Sequence, residues 1–217
     1  MRVRPEASIL DSRAARTAAS VHRLLVTGVW TALGCSPTVA AGLALGGDGS
    51  NLPLLAVAAL PVGPAVAAAL FSLRAHRPDL GDLHPSADWL RGWRSLAGRA
   101  LLLWAPFLAL LTVLSINLTH LDVAGVPGWW AAPLTVIAVT ACLWVAVALV
   151  LVVLSEDAPV SVVARRAAYT LMTRPLVTLA VAVLLIVAAA VTLAWSEGAL
   201  LIAAPVLLLA LLRAVTA

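Results

Sequence analysis

Six stretches of this chain run for the depth of a membrane with no ionisable side chain in their interior: residues 24–46, 52–73, 100–117, 131–154, 175–195 and 198–213. A hydrocarbon core of about 30 Å takes about 20 apolar residues of helix. In lipid every backbone N–H and C=O needs an internal partner, which an α-helix supplies for itself. The chain therefore reads as all-α, a polytopic membrane helix bundle of six spans. The sixth stretch is short and contains Pro205, which makes it the weakest of the set.

Composition agrees with this reading. Of the 217 residues 63% are hydrophobic and only 11% charged, where a soluble domain carries about 25%. A soluble fold needs a wet polar shell, and this chain lacks the residues to build one. The fourteen basic residues are all Arg. A sequence pI near 10.4 invites a nucleic-acid reading, but these arginines flank apolar spans and form no basic face of a soluble fold. Cys35 and Cys142 lie inside spans, where a thiol acts as a small hydrophobe.

The arginines also set the threading. With the N-terminus inside, all fourteen fall on the inner side: in 1–23, in the segments 74–99 and 155–174, and at Arg213. The outer loops hold only Asp48, Asp122 and Glu197. This is the positive-inside pattern, and it places both termini in the cytoplasm of a bacterial cell, with the inner membrane as the location. Trp129, Trp130 and Trp195 then fall at the outer rim, the depth that amphipathic rings prefer. A cleaved leader is the competing reading of the N-terminus. The apolar run from Leu24 exceeds the about 7–15 residues of a leader's core, so residues 1–23 read as a basic cytoplasmic segment and 24–217 as one membrane domain.

The two inner segments have their own pattern. In "SADWLRGWRSLAGR" (86–99), Trp89, Leu90, Trp93, Leu96 and Ala97 share one arc of a helical wheel, with Arg91, Arg94 and Arg99 opposite. Ser86 suits the N-cap and Asp88 the first turn. In "APVSVVARRAAYTLMTR" (158–174), Val160, Ala164, Ala167 and Leu171 oppose Arg165, Arg166, Tyr169 and Thr173. Both are expected to lie as interfacial amphipathic helices on the cytoplasmic side, arginines toward the anionic lipids of the inner leaflet. Arg91, Arg94, Trp89, Trp93, Arg165 and Arg166 are the candidate partner-docking residues.

Proline interrupts two spans at mid-depth. Pro61 and Pro64 remove donors and release the carbonyls of Val57 and Leu60; Pro37 does the same to Leu33. Paired interruptions of neighbouring spans point to a binding site in transporter folds, so Ser36, Pro37, Pro61, Gly63 and Pro64 form a candidate helix-break cleft. Kinking for packing is the plainer account of the same residues. Gly42 and Gly46 match a small-residue contact motif. No nucleophile motif, phosphate loop or metal-ligand cluster appears, so the reading calls for no enzyme activity, no cofactor and no metal. The spans also lack the intramembrane carboxylates that mark ion-driven pumps.

The run 52–103, with its "LPVGPA" break and Trp-bearing inner segment, resembles the YesL-like family of bacterial integral membrane proteins, and "ARRAAYTLMTRPLVTLAVAVLL" (164–185) is similar to that family's entry into the fifth span. The family often carries Thr before its Gly-Pro; here Val62 stands there. The resemblance implies a membrane protein linked to ATP-driven carbohydrate uptake, with permease or ATPase subunits as partners. The expected function is thus a non-enzymatic accessory protein of such a system. The alternative is a small transporter or channel for a neutral solute.

Overall fold

The computed structural model describes residues 5–45, 49–74, 84–121, 125, 127–194 and 197–216, without the side chains of 5–16, 49, 197, 198 and 201. Among these residues there is no strand. The helices are α1 (Pro5–Leu45), α2 (Leu52–Ala58), α3 (Val62–Arg74), α4 (Pro85–Thr119), α5 (Ala131–Leu154), α6 (Val160–Thr173), α7 (Pro175–Ala194) and α8 (Glu197–Thr216), with short 3₁₀ turns at Gly49–Asn51 and Gly128–Trp130. Proline marks most of the starts: Pro5, Pro53, Pro85, Pro159 and Pro175 stand at or beside a first turn. There its missing N–H would have no partner in any case, and its fixed φ already suits the helix.

The protein is an all-α membrane bundle. Five helical segments are long and apolar enough to cross a bilayer: Thr17–Leu45, Leu52–Arg74, Pro85–Thr119, Gly128–Leu154 and Pro175–Ala194. The expected sixth span differs. Its helix, α8, has 20 residues and holds Pro205; among the described residues its apolar stretch is Ile202–Thr216.

Small residues let α3 sit at the centre, against α1, α4, α5 and α8. Ala65, Ala67, Ala68, Ala69 and Leu70 on α3 are fully buried. Between membrane helices the driving force is close packing and hydrogen bonding rather than escape from water, so small side chains that admit a neighbour's backbone matter most. The core is polarised along α5. Val145, Val147, Val150, Val152 and Val153 are buried, whereas Val136, Ile137 and Val139 near its start are exposed. Exposed Leu43, Leu193 and Ile202 belong to the outward apolar surface that a lipid-embedded bundle presents.

Two expectations need correction. Residues 86–99 do not form a separate interfacial helix. They are the first part of α4, which runs unbroken for 35 residues, roughly 50 Å at 1.5 Å per residue. Its buried stripe is Pro85, Asp88, Trp89, Gly92, Leu96, Ala100, Leu103 and Phe107. That stripe is rotated from the sequence-based arc toward Gly92, because a helix can pack closely wherever the side chain is smallest: a Cβ at Gly92 would stand 2.8 Å from the Cβ of Phe71. The second segment is a helix of its own, α6, with Val163 and Ala167 buried and Arg165, Arg166, Tyr169 and Thr173 exposed. The second correction concerns Gly42, where a Cβ would meet nothing within 4 Å; Gly46 and Trp195 lie outside the described residues.

Candidate functional site

The break in the second span is real. α2 ends at Ala58, residues 59–61 turn, and α3 begins at Val62. Pro61 and Pro64 make this inevitable by withholding two consecutive-turn donors. The freed backbone is then repaired by neighbours. Leu60 N–H reaches the Val57 carbonyl in a tightened turn of 3.2 Å. Thr38 Oγ1 on α1 donates to the Ala58 carbonyl at 2.9 Å, and Trp104 Nε1 on α4 donates to the Ala59 carbonyl at 2.9 Å. Gly63 is the complement of that tryptophan: a Cβ there would lie 2.4 Å from Trp104 Cγ. On α1 the helix passes through Pro37 without a break, and Ser36 Oγ donates at 2.7 Å to the Leu33 carbonyl that Pro37 leaves free.

The predicted cleft residues separate on inspection. Gly63 and Pro64 are buried in packing, Pro61 is half-buried, and Ser36 and Pro37 are exposed. None of the five lines the cleft that does exist beside them. That cleft, of about 520 Å³, is bounded by Cys35, Thr38, Val62, Leu108, Thr112 and Thr192, among others. The hydroxyls of Thr38, Thr112 and Thr192 already donate to backbone carbonyls. They leave only lone pairs for a guest, while Ser115 in the same wall brings a hydroxyl that can also donate.

The arginine-bearing end holds a polar cluster that sequence reasoning missed. Arg23 on α1 and Asp88 on α4 form an ion pair of 3.0 Å with side chains only 6% and 9% exposed. Arg23 also donates to the Ser72 carbonyl of α3 at 2.8 Å. Thr27 and Ser72 share a hydroxyl hydrogen bond of 3.3 Å, and Arg91 approaches the other Asp88 oxygen at 3.4 Å. Three helices, α1, α3 and α4, are thus tied by the Arg23 guanidinium. Buried charges persist only when paired, and removing one member strands the other. Asp88 stands in the first turn of α4, as the sequence implied, and is in addition a cross-link to α1. The N-cap is His84 rather than Ser86, because Pro85 starts the helix two residues earlier. A clue was present: Asp88 is an acid standing next to Trp89, and once Gly92 counts as a buried position it lies on the apolar stripe.

Two further arginines act as caps. Arg99 donates to the Ser155 carbonyl at 2.8 Å and to the carbonyls of Glu156 and Ala158. Arg74 donates to the Val153 carbonyl and pairs with Glu156 at 3.3 Å. Both guanidiniums close the C-terminus of α5, where unpaired carbonyls and the helix dipole favour a cation.

The docking candidates also divide. Trp89 is buried at 5% exposure and stacks between Trp30, at 5.6 Å, and Trp93, at 5.2 Å. Its Nε1 is a buried polar atom that finds no partner among the described residues. Trp93 is half-buried in the same stack. Neither indole sits free at the headgroups. Arg91 is exposed but engaged with Asp88. Arg94, Arg165 and Arg166 are exposed and form no ion pair among the described residues. Trp129 and Trp130 stack on each other at 4.8 Å at the opposite end, exposed as an interfacial pair would be.

No protein-family model, curated protein or solved structure matches this chain.

Proposed function

We propose that the chain is a non-enzymatic accessory protein of the bacterial cytoplasmic membrane, with both termini inside, that docks a cytoplasm-facing partner through the arginines of α4 and α6. One observation carries this reading. Arg94, Arg165 and Arg166 remain exposed and without ion pairs among the described residues, while Arg23, Arg74 and Arg99 are consumed by internal contacts. A guanidinium kept in water on a helix whose other face is packed is suited to bidentate recognition of carboxylates. The partner class, permease or ATPase subunits of a carbohydrate uptake system, is supported by the YesL-like resemblance of 52–103 and 164–185 alone. The test is co-purification from native membranes in mild detergent. The triple substitution Arg94→Glu, Arg165→Glu, Arg166→Glu loses the partner while the bundle unfolds at its usual temperature. A complex that survives the triple substitution would sink the docking surface.

The second reading is passage of a neutral solute. The observation that favours it is the 520 Å³ cleft beside the broken second span, walled by Thr38, Thr112 and Thr192. It predicts solute flux into vesicles containing this chain alone, blocked by Ala56→Trp in the cleft wall.

A further inference from the structure

The cleft beside the broken second span continues into the bundle. Three of its wall residues, Cys35 on α1, Val62 on α3 and Leu200 on α8, also wall a second cavity of about 230 Å³. That cavity reaches toward the arginine-bearing end between Val66 of α3, Val181 and Leu185 of α7, and Leu208 and Leu211 of α8. The two are lobes of one chamber, with a neck at the shared residues. The chamber is interior: each lining residue of both lobes is buried or half-buried, unlike Leu43, Leu193 and Ile202 on the outward surface. Protein interiors hold few voids larger than a water, and an apolar wall that faces empty space forfeits its dispersion contacts.

We infer that this chamber is a binding site for a single-chain neutral lipid, its hydrocarbon tail in the second lobe and an uncharged hydroxyl head in the first. The inference rests on the cleft of the solute-passage reading and names the class of molecule that enters it. Three observations specify the occupant. The first is charge: among the described residues no Asp, Glu, Lys, Arg or His lines either lobe, so an ionised head would be buried without a counter-charge. The second is hydrogen bonding. The polar side chains gather in the first lobe, at Thr38, Thr112, Ser115 and Thr192, whereas the second has only the hydroxyl of Thr31, which already donates to the Thr27 carbonyl at 2.7 Å. The three threonines of the first lobe present lone pairs, and Ser115 a hydroxyl able to donate. An alcohol donates and accepts at a single atom and so answers both. The third is length. Val181, Leu184, Leu185, Ala188 and Thr192 form one stripe of α7 that walls both lobes. From 181 to 192 it covers about 17 Å of helix, close to the roughly 15 Å that lipid tails span in one leaflet.

The experiment uses the full chain in detergent and native mass spectrometry with oleyl alcohol, oleyl methyl ether or oleate added separately. Wild type is expected to retain the alcohol about fivefold better than the ether, the size of one neutral hydrogen bond, and better than oleate. Ser115→Ala lowers retention of the alcohol by a similar factor. Ala188→Phe and Ala204→Phe, in the wall of the second lobe on two different helices, each lower retention of alcohol and ether alike, with helix content unchanged by circular dichroism. Val206→Phe, on α8 but 59% exposed on the outward surface, changes nothing. Equal retention by wild type of alcohol and ether, or of alcohol and oleate, overturns the site. So does wild-type retention in Ser115→Ala or in a folded filling variant. An equal loss in Val206→Phe also overturns it, because the lipid would then lie on the outer surface. The passage reading fails separately: a chain that retains the alcohol and passes no solute keeps this site and loses that reading, and one that passes solute without retaining the alcohol does the reverse.

Discussion

The first part of α4 and the whole of α6 look like twins in sequence. Each is a short amphipathic stretch at the arginine-bearing end, and each has an Arg eight residues before the Arg that opens the next span: Arg91 and Arg99, Arg166 and Arg174. In the structure they diverge. The α4 segment continues into its span and presses its tryptophans into the bundle. The α6 segment stops at Thr173, turns at Arg174, and leaves its arginine face outside. The deciding residue is one position further on. Arg99 is followed by Ala100 and the helix proceeds; Arg174 is followed by Pro175, which disfavours helical backbone at the residue before it. Arg174 accordingly sits at φ −119°, ψ 79°. The lesson is that amphipathicity announces a buried face without saying whether lipid or protein buries it.

The contrast can be broken most forcefully at Asp88. Asp88→Ala removes the buried carboxylate paired with Arg23 and is expected to cost about 3–5 kcal/mol, seen as a large fall in the midpoint of thermal unfolding in detergent. Slightly smaller is Gly98→Pro, which interrupts the continuous α4 and is expected to cost about 3 kcal/mol. An equally stable variant would show that 86–99 behaves as an independent surface helix after all. Gly92→Ala, which pushes α4 off Phe71, should cost about 1–3 kcal/mol. On the α6 side the effects shrink. Trp144 Nε1 donates to the Ala164 carbonyl at 3.1 Å, and Trp144→Phe should cost about 1 kcal/mol by the same measurement. Arg166→Ala should move stability by less than about 0.5 kcal/mol while weakening capture of the proposed partner.

Much of the fold was legible in advance. Five apolar spans, the break at Pro61 and Pro64 and the two faces of α6 follow from local chemistry: uninterrupted apolar length, a missing donor, a periodicity of 3.6. The candidate sites were less legible. Pro37 correctly signalled the Leu33 carbonyl, which Ser36 satisfies, but at the Pro61 break the carbonyls met by side chains are those of Ala58 and Ala59 rather than Val57 and Leu60, and the donors, Thr38 and Trp104, come from other helices. The cleft opened beside the prolines rather than at them, since Gly63 and Pro64 were drawn into contact with α4.

By itself, then, the sequence determined that this chain is a helical membrane protein and where its helices begin and fail, because those outcomes depend on each segment's own backbone and its transfer into lipid. Only the tertiary structure decided which arginines are structural and which are free to meet a partner. A guanidinium's role is set by the carboxylate or carbonyl that comes within about 3 Å of it. For Arg23, Arg74 and Arg99 those groups arrive from helices 49 to 79 residues away in the chain.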